Sequence, residues 1–367
     1  MTNPQSTAPR QRAPGAVPVD DLALFCPVPL LWHEAGAEVI DRAGSEWAVG
    51  HGLCAGGSLP TRSNIGLFIA AAMPFVTADA AATMSRYSYW AFLLDDHLDG
   101  LAGDPATAIT LVGEANRIMY EPPAAPIPGG SPWLTSLRDL RAMMEDCLGS
   151  EGMDAVRSAN TYWLSGQLWK LAALSRTAPT TVAEYLRMRW SKCGGSVLAA
   201  YTAPGAGYAM PAADLYEPRV RAFTSAVFQA CTIVNDLVGF AREAATGQRD
   251  INIFSTLAAE HRLDPTSALL KAGELYERSL LLMTRLQQRL VADPRPAVAR
   301  YAAELPQWVP ATIHFTATSA RYLTEHKPDT VAVPNVTTSE TPLLVDPEDT
   351  TPPPYGDIAW WWQYLDH

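Results

Sequence analysis

The stretch Ala91 Phe92 Leu93 Leu94 Asp95 Asp96 His97 Leu98 Asp99 Gly100 decides the fold, because it closes a long apolar and aromatic run that begins near Met84. We predict a buried helix that carries three carboxylates at its C-terminal end. In such a helix Asp95 and Asp99 lie one turn apart on one face, whereas Asp96 is rotated by about 100°. Acidic groups are unfavourable near the negative end of a helix dipole, and carboxylate oxygens suit Mg²⁺. The spacing therefore favours a bound divalent cation, and the alternative is an ordinary solvated helix end.

Composition and charge exclude several classes of protein. The chain has 367 residues, of which 48% are hydrophobic, and a formal net charge of −11. Seven acidic residues and no Lys or Arg lie between positions 328 and 367. Since no basic stripe is present, we expect neither nucleic acid nor a membrane as a partner. The polar, Pro-rich N-terminus has no apolar signal segment and the five cysteines are scattered, so we predict a cytoplasmic protein with reduced thiols.

Periodic apolar patterns predict an all-α protein, a single-domain helical bundle, and no alternating strand pattern is found. We assign residues 1–24 to a disordered leader, 25–327 to the bundle and 328–367 to an acidic Pro/Thr-rich linker that ends in an aromatic segment. The predicted helices are 33–47, 65–72, 80–98, 134–147, 153–175, 181–192, 218–246, 265–291, 296–304 and 309–325. We expect the aromatic segment, Ile358 to Leu365, to dock onto an apolar groove, because four large aromatic side chains are costly to leave in water.

A second polar cluster lies in Val234 Asn235 Asp236 Leu237 Val238 Gly239 Phe240 Ala241 Arg242 Glu243. Asn235, Gly239 and Glu243 are spaced i, i+4 and i+8, so they line one face of one helix. An amide oxygen and a carboxylate on that face can hold one ion. The alternative is an unrelated Asn and Glu on a helix surface, which is a common arrangement.

With both clusters, the chain from about Phe25 to His326 resembles the class I terpene cyclases of bacterial type. Asp95 to Asp99 matches the aspartate-rich motif of that family, and Asn235 to Glu243 matches its second motif, Asn-Asp-x-x-Ser-x-x-x-Glu. Arg189 stands where the family has its diphosphate-sensing arginine, and Arg321 with Tyr322 where it has an Arg-Tyr pair. Gly239 departs from the pattern, since it replaces the Ser or Thr that ligates the metal.

The resemblance implies that an isoprenyl diphosphate is held by three Mg²⁺ ions. It implies a metal-binding set of Asp95, Asp96, Asp99, Asn235, Gly239 and Glu243. Within this set we expect Asp95 to be the principal ligand, Asp96 to pair with Arg189, and a water to replace the hydroxyl missing at Gly239. The diphosphate donors that the resemblance implies are Arg189, Arg242, Arg321 and Tyr322.

The same resemblance implies an aromatic cavity that keeps a carbocation from water. Its walls would include Phe92, Cys193, Gly194, Trp308 and Phe315. The break from Lys192 to Gly195 matches the place where the family interrupts a helix beside the substrate. We assign no role to His97 and expect Trp163 and Trp169 to belong to the core.

Several functional alternatives stay open. Farnesyl diphosphate is the preferred substrate, geranylgeranyl diphosphate the main alternative, and a C10 or C11 substrate is less favoured. A chain-elongating prenyl transferase is disfavoured because the second motif is Asn-based and no paired arginines follow Asp99. A different class would be a non-catalytic helical interaction protein that uses the acidic tail. Besides the substrate, a second copy of the chain in a homodimer stays open as a partner.

Overall fold

The structure is a computed structural model that describes residues 21–122, 124–246, 251–322 and 335–365. Within these ranges the helices are α1 (Ala37–Gly50), α2 (Leu59–Arg62), α3 (Ile65–Ala72), α4 (Ala78–Gly100), α5 (Pro105–Tyr120), α6 (Pro132–Leu174), α7 (Val182–Lys192), α8 (Gly195–Gly205), α9 (Ala212–Leu215), α10 (Pro218–Thr246), α11 (Ile253–His261), α12 (Pro265–Leu290), α13 (Pro296–Glu304), α14 (Trp308–Thr318) and α15 (Gly356–Ala359). Short 3₁₀ turns cover Pro128–Gly130, Leu305–Gln307 and Trp360–Leu365. The all-α prediction is confirmed.

Two short strands are the exception to the predicted absence of β structure. β1 (Asp21–Phe25) and β2 (Asn335–Ser339) pair in parallel, with Asp21 opposite Asn335 and Phe25 opposite Ser339. Four of the five residues of β1 lie in the segment assigned to the leader, and β2 lies in the segment assigned to the linker, so the predicted absence of strands was wrong for these residues. Each strand is only five residues long and its partner is distant in sequence, so neither gives a periodic local signal.

The aspartate-rich helix α4 lies inside the bundle and packs against α1, α3 and α6. Its N-terminus is capped by the Thr77 side chain, which accepts a hydrogen bond from the backbone N–H of Ala80. The Tyr87 hydroxyl donates to Asn160 on α6 at 2.8 Å, and both residues are buried. Since α4 is fixed along its length in this way, the carboxylates at its end are held by a rigid element.

The second motif lies on α10, which packs against α12 on one side and α14 on the other. Part of this helix, Pro218–Phe240, is long and apolar enough to cross a membrane. Of the 18-residue apolar window in this segment, 89% is buried inside the protein, as expected for the central helix of a bundle.

A break between α7 and α8 falls at the predicted position. α7 ends at Lys192, and Gly194 has a φ of 76°, a left-handed conformation that favours glycine. The last carbonyls of a helix need partners outside its own ladder. The Lys192 carbonyl accepts from Trp163 Nε1 at 3.1 Å and from Gln167 Nε2 at 3.0 Å. The break is thereby fixed to α6.

Helix α14 is shorter than predicted, because it ends at Thr318 and not near Glu325. Ser319 has extended backbone angles, and its hydroxyl donates to the carbonyl of Ser63 at 2.6 Å. The backbone N–H of Tyr322 then donates to the carbonyl of Ser319 at 3.0 Å. Arg321 and Tyr322 therefore lie in a turn. A continued helix would instead have placed them on different faces.

The C-terminal segment packs on the outside of the bundle. α15 contacts α7, and the 3₁₀ turn Trp360–Leu365 contacts α10 and α12. Trp361 and Trp362 are each only 6% exposed. The Glu277 carboxylate on α12 accepts backbone N–H bonds of 2.7–2.9 Å from residues 343–345.

Candidate active site

One cavity lies among α3, α4, α6, α7, α8, α10 and α14, and it is bordered by the α7–α8 break and by the turn after α14. Its lining includes the described members of the predicted site: Phe92, Asp95, Asp96, Asp99, Arg189, Cys193, Gly194, Asn235, Gly239, Trp308, Phe315, Arg321 and Tyr322. The polar members come from α4, α7, α10 and the turn after α14, and the aromatic members Phe92, Trp308 and Phe315 are linked by ring contacts. The helices thus bring together residues from sequence positions 92 to 322.

The two aspartates that share a face of α4 are held by one cation. Lys170 on α6 places its Nζ 2.7 Å from Asp95 Oδ1 and 2.5 Å from Asp99 Oδ1. The Lys170 side chain is only 2% exposed, whereas that of Asp95 is 34% exposed. Burial of a charged lysine is costly unless it is paired, and these two carboxylates provide the pairing.

The third aspartate is paired with a different arginine from the one expected. Asp96 accepts two bonds of 2.7 Å from the guanidinium of Arg321, and its predicted pairing with Arg189 is wrong in this structure. The rotation of Asp96 on α4 directs it toward the turn after α14, which carries Arg321. Burial lowers the pKa of Arg321, but the charge and hydrogen bonds of Asp96, together with the nearby Tyr322 and Asp95, outweigh burial, so the pKa is raised. The guanidinium also lies 5.1 Å from the ring centre of Phe92.

Arg189 instead bonds to the second motif. Its guanidinium donates to Asn235 Oδ1 at 2.8 Å and forms an ion pair with Asp236 at 2.6 Å. Asn235 also donates from Nδ2 to the Tyr322 hydroxyl at 2.7 Å. Asp236 is buried and accepts from the Tyr185 hydroxyl and the backbone N–H of Ile253, so it joins α10 to α7 and α11. Burial raises the pKa of Tyr185, and the nearby Asp236 charge adds to that effect.

Two predicted residues cannot be placed. The side chains of Arg242 and Glu243 lie outside the described part of the structure, although the backbone of α10 continues through them. Gly239 is buried on the cavity wall, one turn after Asn235. Its position agrees with the expected spacing of the motif but tests no metal ligand.

Aromatic rings form part of the cavity wall. Phe315 stacks on Phe68 with ring centres 4.8 Å apart, and it meets Phe92 edge-on at 5.8 Å. Trp308 meets Phe68 edge-on at 5.4 Å. Cys193 also lines the cavity, and burial raises the pKa of its thiol, which keeps it neutral. These rings could attract a cation in this space.

Several cavity residues were missed by the sequence analysis. Trp163 is buried in the core, as expected, but it also lines the cavity, as do Gln167 and Lys170. Trp169 is 37% exposed, so its assignment to the core was wrong. On α6, Trp163, Gln167 and Lys170 are spaced i, i+4 and i+7, which places them on one face. A lysine on a buried helix face is rare without a partner, and this was the signal that could have identified Lys170.

The donor set fits a divalent cation, although no three His, Cys, Asp or Glu side chains are gathered as metal ligands among the described residues. Oxygens of Asp95 and Asp99 already converge on one positive charge, the Lys170 ammonium. Asn235 presents a further oxygen to the same cavity, and it too is bonded to a cation, Arg189. Oxygen donors of this kind suit Mg²⁺.

Comparison with known proteins identifies relatives of the whole chain. The family described as "Terpene synthase family 2, C-terminal metal binding" matches residues 86–280, which is more than half of the chain. Bonnadiene synthase from Allokutzneria albata is 28% identical, over 94% of this chain and 98% of its own length. A farnesyl diphosphate-cyclizing (+)-T-muurolol synthase from Streptomyces clavuligerus is 24% identical, over 94% and 82%. A diterpene cyclase from a Streptomyces species is 22% identical, over 94% and 96%.

A solved structure shows the same fold. A point mutant of the SVS_A2 protein, which was obtained by ancestral sequence reconstruction, superimposes with a TM-score of 0.78 at 24% identity. The match covers 95% of this chain and 99% of that protein. The shared architecture therefore extends beyond the matched motifs, to the helices that position them.

Proposed function

Because this chain belongs to terpene synthase family 2 and is a terpene cyclase acting on an isoprenyl diphosphate, we propose that it cyclises farnesyl diphosphate to a sesquiterpene with three Mg²⁺ ions. The observation that carries the proposal is the polarity of the cavity. Oxygen donors and cations on α4, α6, α7, α10 and the turn after α14 are bonded to one another and form what we call the polar end of the cavity. The rings of Phe68, Phe92 and Phe315 form what we call its aromatic end, which meets the polar end where Phe92 contacts Arg321.

The polar end can bind a diphosphate with its metal ions. Asp95 and Asp99 would hold metal on one side, and Asn235, with Glu243, on the other. Bound Mg²⁺ supplies positive charge that stabilises the leaving diphosphate. Arg189, Arg321 and Tyr322 line this end and present N–H and O–H donors, and arginine matches phosphate geometry with two parallel bonds. Loss of diphosphate then needs no protein nucleophile, because the departing charge is already compensated.

The aromatic end can steady the carbocation that remains. Phe92 lies against Arg321 and Phe315 against Tyr322, so the cation would meet these two rings directly after ionisation. The ring quadrupole attracts positive charge, and the apolar wall excludes water until the last step. The shape of this wall would fold the isoprenyl chain of the substrate, and that conformation would direct the cyclisation.

Geranylgeranyl diphosphate is the second candidate substrate. It is favoured by two observations: a relative named as a diterpene cyclase matches almost the full chain, and several wall residues are small. These small residues are Ser88, Ala91, Cys193, Gly194, Cys231 and Thr312. They leave room for a longer substrate.

A competition assay tests the proposal. Purified protein with Mg²⁺ receives equimolar C10, C15 and C20 diphosphates, and the extracted products are identified by mass spectrometry. We expect a C15 product with kcat/KM at least about tenfold above that for the C20 substrate, a difference that one or two pocket contacts can provide. A C20 hydrocarbon as the main product would show that the substrate is geranylgeranyl diphosphate and not farnesyl diphosphate. Absence of any cyclic product with all three substrates would refute the proposal.

A further inference from the structure

We propose that Lys170 is a positioning residue, an internal counter-cation that closes the Asp95–Asp99 metal site until a diphosphate enters the cavity. The inference rests on the proposed function, since it concerns how that site is loaded. Lys170 lies on α6, outside both sequence motifs, and its Nζ is within 2.7 Å of one oxygen on each aspartate.

The Lys170 ammonium group changes the charge that a metal ion would meet at this site. Two carboxylates and one ammonium group carry a net charge of −1, in place of −2 for the aspartates alone. A divalent ion that approached the same oxygens would meet half of the net attracting charge, because the ammonium group repels it. The site is thus a weaker metal site with Lys170 in place than the aspartates would make by themselves.

Burial prevents Lys170 from leaving the site freely. Its side chain is 2% exposed, so its ammonium group cannot turn into solvent when a metal takes its partners. Separation of a buried charge from its partners is destabilising. A new anionic partner inside the cavity would offset that cost for Lys170. The diphosphate group is such a partner, and Lys170 lines the same cavity as the predicted diphosphate donors.

The lysine side chain can move while its helix stays in place. The α6 backbone near Lys170 is fixed, because Trp163 and Gln167 both donate to the carbonyl of Lys192. A lysine has a flexible four-carbon stem that ends in a compact charge. The ammonium group can move from the aspartates to a diphosphate oxygen without moving the helix. Arg321 differs, since its two bonds fix it to Asp96.

Direct Mn²⁺ binding tests this inference without turnover. We would titrate the wild type, Lys170→Met and Lys192→Met with Mn²⁺, with and without inorganic diphosphate. Electron paramagnetic resonance would measure the concentration of free Mn²⁺. Lys192 is the matched control, a buried cavity lysine that donates to the Ile251 carbonyl at 3.1 Å. Without diphosphate, we expect Lys170→Met to bind Mn²⁺ at least tenfold more tightly than the wild type, and Lys192→Met to change affinity less than twofold.

The variants give distinguishable outcomes. Unchanged Mn²⁺ affinity in Lys170→Met, or an equal gain in Lys192→Met, would overturn the role of Lys170. Lys170→Arg keeps the charge and should remain as weak as the wild type. If Lys170→Met does not fold, thermal unfolding of the wild type decides: Mn²⁺ alone should raise Tm far less than Mn²⁺ with diphosphate, and equal shifts would overturn the inference. A wild type that binds Mn²⁺ and diphosphate but cyclises no substrate would refute the proposed function alone.

Discussion

At the residue scale, the described polar groups of the site are already bonded to one another. Asp95 and Asp99 both form ion pairs with Lys170. Asp96 forms an ion pair with Arg321, and Asn235 is hydrogen-bonded to Arg189 and Tyr322. These contacts explain how carboxylates and cations can line one cavity without large uncompensated charge. Substrate binding must exchange these partners, so single substitutions should separate metal binding from folding.

Asp95→Ala should reduce kcat/KM by about 100-fold or more. The substitution removes a proposed ligand of the metal that compensates the charge of the leaving diphosphate. Steady-state turnover with the preferred diphosphate and circular dichroism would measure activity and folding. Asp79→Ala is the matched control, since Asp79 is an exposed aspartate at the other end of the same helix and should leave turnover near that of the wild type. More than about a tenth of wild-type activity in correctly folded Asp95→Ala would rule out the metal role of Asp95.

Gly239→Ser should lower the Mg²⁺ concentration that gives the half-maximal rate. Gly239 is on the cavity wall one turn after Asn235, and the substitution would restore a hydroxyl ligand where we propose a water. Glycine also costs a helix about 1 kcal/mol relative to alanine, so the variant should not be less stable. The Mg²⁺ dependence of the initial rate is the measurement. A large rise in that concentration would mean that Gly239 is required for packing and that the motif is assigned wrongly.

At the element scale, close contact between α6 and α7 places Lys170 and Arg189 in one cavity. Gly166 on α6 allows this approach: a Cβ added there would lie 2.5 Å from the backbone carbon of Ser191 and 2.7 Å from the backbone nitrogen of Lys192. Backbone atoms cannot yield as a flexible side chain can, so the two helices would have to separate. The hydrogen bonds from Trp163 and Gln167 to Lys192 depend on the same approach.

Gly166→Ala should therefore destabilise the protein by about 1–3 kcal/mol, the usual cost of overpacking a core. Gly113→Ala on α5 is the matched control, because an added Cβ there meets nothing within 4 Å. That variant should be stabilised by roughly 0.5–1 kcal/mol, since alanine is the better helix former. Urea unfolding of both variants provides the comparison. Equal stability of Gly166→Ala and the wild type would show that α6 and α7 can separate at little cost.

At the scale of the whole molecule, the two ends of the described chain are tied to the bundle. β2 pairs with β1, Glu277 binds the backbone of residues 343–345, and Arg278 pairs with Asp349 at 2.7 Å. Trp361 and Trp362 add buried aromatic surface against α10 and α12. The C-terminal segment contacts α7, α10 and α12, and none of its described residues lines the cavity. We therefore propose that it stabilises the bundle.

Truncation after Lys327 should lower Tm by about 12–20 °C, because it removes two buried tryptophans, deletion of each costs about 3–5 kcal/mol, and each kcal/mol shifts Tm by about 2 °C in a chain of this size. Product identity should change little. Trp362→Ala and Gln363→Ala form a matched pair of neighbours, one buried and one exposed, and only the first should lower Tm. Calorimetry and product profiles are the measurements. An unchanged Tm with altered products would assign the segment to the cavity as a lid.

Much of the fold and the site was determined by the sequence itself, because those signals are local. The apolar run ending in Asp95, Asp96 and Asp99 predicts α4, and the i, i+4, i+8 spacing on α10 predicts one functional face. Local signals were also missed, since Asp104 caps α5 and Pro105 begins it, yet no helix was predicted there.

The tertiary structure alone decided the pairing of charges across the cavity. Whether Asp96 meets Arg189 or Arg321 depends on the turn that ends α14 at Thr318, which is fixed by a bond between Ser319 and the distant Ser63. The position of Lys170 between two aspartates depends on how closely α6 approaches α7 and α4, and β1 forms only beside β2. These contacts join residues far apart in the chain, and a periodic pattern reports only which face of an element is buried, not what that face meets.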